Sequence, residues 1–348
     1  MIRFLIQRLL FAVVVFFAAV FFVWLLTTRY GIVSLDATVT NTDPYNIYSG
    51  FNIGHADFFS WLSQMLHGNF GYSTLQNEPI STLVHSHIAV SFLIIIPVLI
   101  IQEVVALTLG VFSSVRSGSV LDKLIMNVEY FFSAMPSFWF ALIGIIIFAV
   151  HLHWFSFDGM NDVRLTGSGW DTPAYWQFFH QHTLVAIIDV IRHLELPILV
   201  LVLGSISTDS QLLRSSMLEV LSQEYIRAAR ARGIKEWVIV WRHALRNALL
   251  PVMTSIGAQL PRLVFTVAII EDVFNLPGLG GLFIHSIITF PRIASNGDQG
   301  DPSILHPVDP SLVTVYLFLF AIVVLVTNIA TDAAYALADP RVRNETTV

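Results

Sequence analysis

The chain has 348 residues, of which 55% are hydrophobic and only 12% charged, with a formal net charge of −6 and a mean hydropathy of +0.71. These values exclude an ordinary soluble domain, and nothing in them supports nucleic-acid binding. The absence of cysteine excludes a disulfide framework and any thiolate metal site.

A membrane helix needs about 20 apolar residues to cross a ~30 Å hydrocarbon layer. On that measure the sequence predicts an all-α polytopic membrane protein with six transmembrane helices, at 4–26, 88–112, 124–150, 194–213, 251–274 and 311–333. Arg3 and Arg8 precede the first apolar run as in a secretory signal. The run from Leu9 to Leu26 is long for one and no small-residue cleavage site follows, so it is expected to remain as a helix. Residues 1–87 then comprise the first helix and an extracytoplasmic segment, and residues 88–348 a five-helix core with a cytoplasmic loop at 214–250. Thirteen basic residues fall on the side of the termini and four opposite, with Arg262 inside a span, so positive-inside bias places both termini in the cytoplasm.

The outer connections, 27–87, 151–193 and 275–310, carry Trp61, Trp154, Trp170 and Trp176, which suit interfacial anchoring. The polar residues from Asp189 to Glu195 interrupt the hydrophobicity, so 184–193 is expected as an amphipathic helix lying outside the membrane. Pro291 to Pro310 reads as a polar loop.

Two charges fall inside spans. Glu103 and Arg262 each lie ~15 Å from the inner end of their helix at 1.5 Å per residue. A charge at that depth costs at least roughly 2.5–3.5 kcal/mol on insertion scales, so either the two pair or both line a water-filled path. Twelve histidines include three H-x-H pairs, His85/His87, His151/His153 and His180/His182. Extended backbone would put each pair on one face, as Ni²⁺ or Zn²⁺ requires, but no third ligand is fixed by spacing and no metal site is assigned.

The most informative stretch runs from Glu224 to Pro251. Ser222 to Arg232 is rich in helix formers, Gly233 suits a left-handed helix end, and Lys235 to Leu250 begins a second helix. Ala228 and Ala229 are small enough to let another backbone approach, amid Arg227, Arg230, Arg232, Lys235, Arg242 and Arg246. From charge alone, the segment is either a docking helix or a basic juxtamembrane loop that sets topology and touches anionic lipid.

The run Arg227 to Gly233, RAARARG, resembles the cytoplasmic coupling loop of ABC-importer permeases, and the resemblance is close to the B-type permease subunits of dipeptide, oligopeptide and nickel uptake systems. Arg227 stands where that family often has Glu. The likeness continues through Asn69-Phe70-Gly71-Tyr72-Ser73, Met135-Pro136-Ser137-Phe138, Leu196-Pro197 at the start of the fourth span, and Glu271 followed by Asn275-Leu276-Pro277-Gly278-Leu279-Gly280. Asp332, Tyr335 and Asp339-Pro340-Arg341 complete it. Taken on their own chemistry, Pro136 and Pro197 bend or start helices, Gly278, Gly280 and Gly281 shape a re-entrant loop, and Asp339 caps or pairs near the C-terminus.

The resemblance implies a type I ABC importer permease fold and a path for peptides or related small solutes. It assigns the ATPase-coupling loop to Glu224, Arg227, Ala228, Ala229, Arg230, Arg232, Gly233, His243 and Pro251. Glu103, Arg262 and Glu271 are candidates for the path or for an intramembrane pair. The implied partners are a homologous second permease, two cytoplasmic ABC ATPase subunits, an extracytoplasmic substrate-binding protein and the lipid bilayer. This chain would bind no cofactor, with ATP and Mg on the ATPases. The only lysines, Lys123 and Lys235, sit in no P-loop, and neither H-E-x-x-H nor G-x-S-x-G occurs, so no enzyme activity is expected. The competing classes are an ion-coupled secondary transporter using Glu103, Asp209 or Glu271, and a membrane scaffold that moves nothing.

Overall fold

The computed structural model describes residues 2–29, 58–73, 76, 78–287 and 309–338. The expected polar loop up to residue 308 and the Asp339-Pro340-Arg341 element lie outside the described residues.

Among the described residues the chain is helical except for one ribbon, in which β1 (Tyr72–Ser73) pairs antiparallel with β2 (Glu78–Pro79). The ribbon is two residues on each side and leaves the all-α expectation standing. It is held by a buried polar tie: Ser73 Oγ donates to Asp309 Oδ2 at 2.5 Å, while Asp309 Oδ1 accepts the Leu312 N–H at 3.1 Å. The Asp309 N–H in turn donates to the Ser286 carbonyl. One carboxylate thereby caps a helix and fastens the ribbon to it.

α1 (Ile2–Arg29) is followed by α2 (Phe58–Leu66), whose Phe58, Trp61, Leu62 and Met65 fall on one face at helical spacing and are buried. They share a core with Val20 of α1, with Ile80 and Leu83 of α3 (Ile80–Val115), and with Leu312, Val315 and Phe318 of α13 (Pro310–Ala338). Trp61 is 1% exposed there, a core residue where an interfacial anchor was expected.

Among the described residues three helical stretches are long and apolar enough to cross a membrane: Ile80–Val115, Glu236–Val273 and Ser311–Ala333. A fourth crossing results if α4 (Val120–Ser133) and the stretch Ser137–His151 count as one, although they meet at 97°. The break replaces the single helix expected at 124–150. Pro136 has ψ 132°, outside the helical region, and stands as the N-cap from which α5 (Ser137–Gly144) starts afresh. A π-helical stretch, Ile145–His151, continues it.

After two short helices, α6 (Val163–Thr166) and α7 (Pro173–Gln181), comes α8 (Thr183–Leu221), 39 residues without interruption. The separate outer helix expected at 184–193 is instead the first part of α8, and Pro197 lies inside that helix rather than opening it. The polar residues read as a break are satisfied within the fold. Asp189 Oδ2 accepts the Asp162 N–H at 2.9 Å, His193 Nδ1 lies 2.8 Å from the Asp189 carbonyl, and both side chains are buried. The main core forms where Val90, Ile94, Val98 and Ala106 of α3 meet Leu196, Val200 and Val202 of α8 and Leu263, Val267 and Ile270 further along.

Candidate functional site

The polar segment after α8 is an ordered helix–turn–helix. α9 (Glu224–Ala231) turns Ile226 and Ala229 inward, where they join Leu213, Met217 and Val220 of α8 and Ile239, Val240 and Ala244 beyond the turn. The helix ends as its sequence demands: Gly233 adopts φ 75°, its N–H donates to the Arg230 carbonyl at 2.9 Å, and the Ile234 N–H donates to the Ala229 carbonyl at 3.3 Å. This is the paired closure that a left-handed residue after the last turn allows, and half-buried Ile234 packs on the same cluster. From α10 (Glu236–Val238) the chain continues through a π-helical stretch, Ile239–Ala244, into α11 (Leu245–Val273). Pro251 sits inside α11 and His243 in the π-helical stretch, so the second arm of the turn is the start of a spanning helix itself.

The two alanines divide. Ala229 packs inward on its own chain and Ala228 faces out, so one small side chain rather than two is open to a partner. The bases divide as well. Arg227 Nη1 is 2.8 Å from Glu224 Oε1, and Arg230 grips Glu236 through Nη2 at 2.6 Å and Nε at 3.2 Å. Arg232, Lys235, Arg242 and Arg246 are exposed and, among the described residues, form no ion pair. Tyr225 bridges the two arms, accepting from Asn247 Nδ2 at 2.8 Å and donating to the His243 carbonyl at 3.5 Å.

The second constellation lies between α3, α8 and α11. Glu103 and Arg262 line one cavity of about 190 Å³ and form no ion pair with each other. Glu103 lies against Asp209 instead and accepts from Gln102 Nε2 at 3.3 Å. Asp209 is fully buried and takes Gln259 Nε2 on both oxygens, at 2.6 and 2.8 Å. Gln102 is fixed by Ser205 Oγ at 2.6 Å.

Glu271 does not join them. It is fully buried, with Oε1 accepting from Ser91 Oγ at 2.6 Å and Oε2 from the Gly281 N–H at 2.9 Å. Ser91 Oγ also accepts the Leu279 N–H, so the carboxylate and serine together hold the first turn of α12 (Leu279–Ile287). The histidine pairs are spread over α3, the end of the π-helical stretch and α7. Among the described residues no group of three or more His, Asp or Glu side chains is placed to hold a metal.

Sequence reasoning passed over a further pair. Arg214 of α8 makes a bidentate bond to Asp122 of α4, both contacts 2.8 Å, and Ser113 and the Gly118 N–H also donate to that carboxylate. Its signal was the Ser119-x-x-Asp122 spacing, in which Ser119 caps α4.

Long helices enclose a polar cavity, and an ordered basic helix–turn is fixed to two of them, α8 and α11. Residues 106–344 match the family of binding-protein-dependent transport system inner membrane components, and the chain belongs to that family. It is 37% identical to a peptide permease protein of Brucella suis over 82% of this chain and 79% of the relative. It is 30% identical to the oligopeptide transport system permease protein AppB of Bacillus subtilis over 88% of this chain and 87% of that one. The di/tripeptide transport system permease protein DppB of Pseudomonas aeruginosa is 29% identical, with 84% and 81% covered. The resemblance carried by RAARARG and the Leu-Pro-Gly-Leu-Gly element is thus borne out. The protein is a multi-pass inner-membrane permease component of a binding-protein-dependent ABC transport system, and not its catalytic chain.

Proposed function

We propose that this chain forms part of the path of an ATP-driven peptide importer. In this reading it has six crossings with both termini in the cytoplasm, beside a homologous permease, above two ATPase subunits and beneath a substrate-binding protein. ATP and Mg belong to the ATPases. The observation that carries the reading is the closed turn at Gly233. Ile226 and Ala229 bind α9 to α8 and to the base of α11, so a push on α9 is delivered to two long helices at once. Arg232, Lys235 and outward-facing Ala228 offer the contact surface, with Arg227 and Arg230 at its edge. Alternating access then requires the ATPases to bind one permease conformation more tightly than the other.

Gly233→Val tests this directly. A Cβ at Gly233 meets open space, so the fold is retained, but a β-branched residue at φ 75° opposes the turn by ~1–2 kcal/mol. Peptide uptake is expected to fall at least about tenfold, consistent with 1.4 kcal/mol per decade, while ATP hydrolysis by the partner chains continues. Wild-type uptake in this variant would remove α9 from the coupling route.

The lack of cysteine makes the topology measurable by single-site labelling. Ser222→Cys and Gln181→Cys both place a thiol at an exposed position. A membrane-impermeant maleimide is expected to reach position 181 from outside and position 222 only after the membrane is opened. Labelling of both from one side would refute the orientation.

A further inference from the structure

We propose that the cleft between α3, α11 and α13 holds one acyl chain of an outer-leaflet phospholipid, whose ester carbonyl accepts from the Tyr316 hydroxyl. This goes beyond the transport reading and uses only its orientation, in which α13 enters the membrane from outside. The cleft encloses about 380 Å³, within the ~300–1,000 Å³ of small-molecule sites, and shares only Leu99 with the cavity that Glu103 and Arg262 line. Each of the three helices lines it over about eleven residues, from Ile88 to Leu99, from Leu260 to Glu271 and from Tyr316 to Thr327. At 1.5 Å per residue that is a length of ~16 Å, which leaves a mean width of ~5 Å. A helix with its side chains is about 10–12 Å across, so no helix of a partner chain enters. Packed carbons stand ~3.5–4.0 Å apart, so a single extended hydrocarbon chain fits.

Four of the lining residues are polar, and three of them gather at one end: Ser91, Glu271 and Tyr316, with Thr327 at the other. Ser91 and Glu271 are spent on each other and on the N–H groups of Leu279 and Gly281. Tyr316 is not. It is 6% exposed, its ring stacks on Phe283 at 3.9 Å between centroids, and among the described residues its buried hydroxyl has no hydrogen-bond partner. Such a donor is costly until an acceptor arrives. A peptide would bring an N–H and a carbonyl at every residue, and the wall offers at most the Tyr316 and Thr327 hydroxyls to answer them. An ester-linked chain brings acceptors at one end only. That end matches in depth as well: Tyr316 lies ~9 Å from the start of α13 and Glu271 ~3 Å from the end of α11, so the polar groups sit near the outer boundary of the hydrocarbon layer and the apolar walls run inward. Glu271 at the same end repels a free carboxylate, which selects the neutral ester over a fatty acid. Phe92 and Ile96 on the wall are exposed, so a chain can enter sideways from the bilayer.

The test is native mass spectrometry of the purified permease–ATPase complex, delipidated in mild detergent and titrated with dioleoyl phosphatidylethanolamine, with its diether analogue and with oleate. Wild type is expected to retain one diester lipid more tightly than the rest, and about three- to tenfold more tightly than the diether, which lacks the carbonyl. Tyr316→Phe, which keeps the ring on Phe283, should bring diester and diether to equal affinity. Val323→Phe, which fills the cleft from its wall, should remove that one site for both lipids, while Ile100→Phe, exposed and outside the cleft, should leave it intact. Equal affinity of wild type for diester and diether, a comparison that needs no variant, would overturn the carbonyl contact and with it the proposal. Retention of the tight lipid by Val323→Phe would overturn its place in the cleft. Oleate bound as tightly as the diester would overturn the phospholipid in favour of a fatty acid, and no saturable lipid on wild type would overturn it in favour of side chains from a partner chain.

Discussion

Gly278→Ala is expected to eliminate folded protein. A Cβ at that position would lie 2.1 Å from the carboxyl carbon of Glu271 and 2.3 Å from both its oxygens. The carboxylate cannot move aside, because Ser91 holds one oxygen and the Gly281 N–H the other, and the backbone beside Gly278 is itself fixed by a 2.8 Å bond to the Leu276 carbonyl. Overpacking alone costs about 1–3 kcal/mol, and each buried hydrogen-bonding group left without its partner adds about 1–3 kcal/mol. The total is comparable to the whole stability of an ordinary domain, about 5–15 kcal/mol. Gly169→Ala provides the control, since nothing lies within 4 Å of its Cβ and its φ is ordinary; it should stay within about 0.5 kcal/mol of wild type. Size-exclusion profiles after graded heating in mild detergent would read both. A monodisperse Gly278→Ala protein with wild-type thermal tolerance would show that the carboxylate is not fixed as described, and would return Glu271 to the candidates for the path.

The fate of Glu271 shows where sequence reading stops. As a carboxylate in a span it is indistinguishable from Glu103, and both were grouped as path candidates. What separates them is the return of the chain at Gly278 to Gly281, which brings a backbone N–H onto Glu271, while Glu103 lies against Asp209. No spacing rule encodes that. The helix–turn after α8 was legible because its determinants are local: helix formers, then a glycine where φ must be positive. Even there, which of two adjacent alanines turns inward depends on the cluster around Met217 and Ile239, and the charge count did not show that Arg230 is spent on Glu236. The outer end of α8 was misread for a related reason. Asp189 and His193 look like an interruption until the Asp162 N–H, 27 residues back, satisfies the Asp189 carboxylate and the Asp189 carbonyl takes His193 Nδ1. Pro136 was legible as a helix end or bend, but the 97° angle that follows is set by packing.

Asp122→Ala is expected to destabilise the protein by about 3 kcal/mol, the lower end of the 3–5 kcal/mol cost of breaking a buried pair, because Arg214 keeps 20% of its side chain exposed while Asp122 is 2% exposed. Asp122 stands in the first turn of α4, at the end of that helix next to the α3–α4 turn, and the pair ties that turn to the last part of α8. The Arg214 guanidinium chiefly, and then the Ser113 hydroxyl and Gly118 N–H, hold the Asp122 carboxyl well below its ordinary pKa of about 3.9. A carboxyl whose folded value is depressed contributes its full stabilisation above the unfolded value and loses it only as pH falls below that toward the folded value. The difference in thermal stability between wild type and Asp122→Asn should therefore be constant from pH 7 to about pH 5 and shrink only below about pH 4. A difference that stays constant below about pH 4 would mean that Asp122 has the same pKa folded as unfolded and that Arg214 is not its partner in solution. The same pair bears on coupling, since Arg214 precedes α9 on the helix that receives its push. With Asp122 removed, α8 loses its tie to the α3–α4 turn at that point, so movement of α9 is passed to α8 without carrying α4. Uptake should then fall further than the ATPase rate in whatever Asp122→Ala protein still assembles at low temperature, and equal reductions in the two rates would confine the pair to a stabilising role.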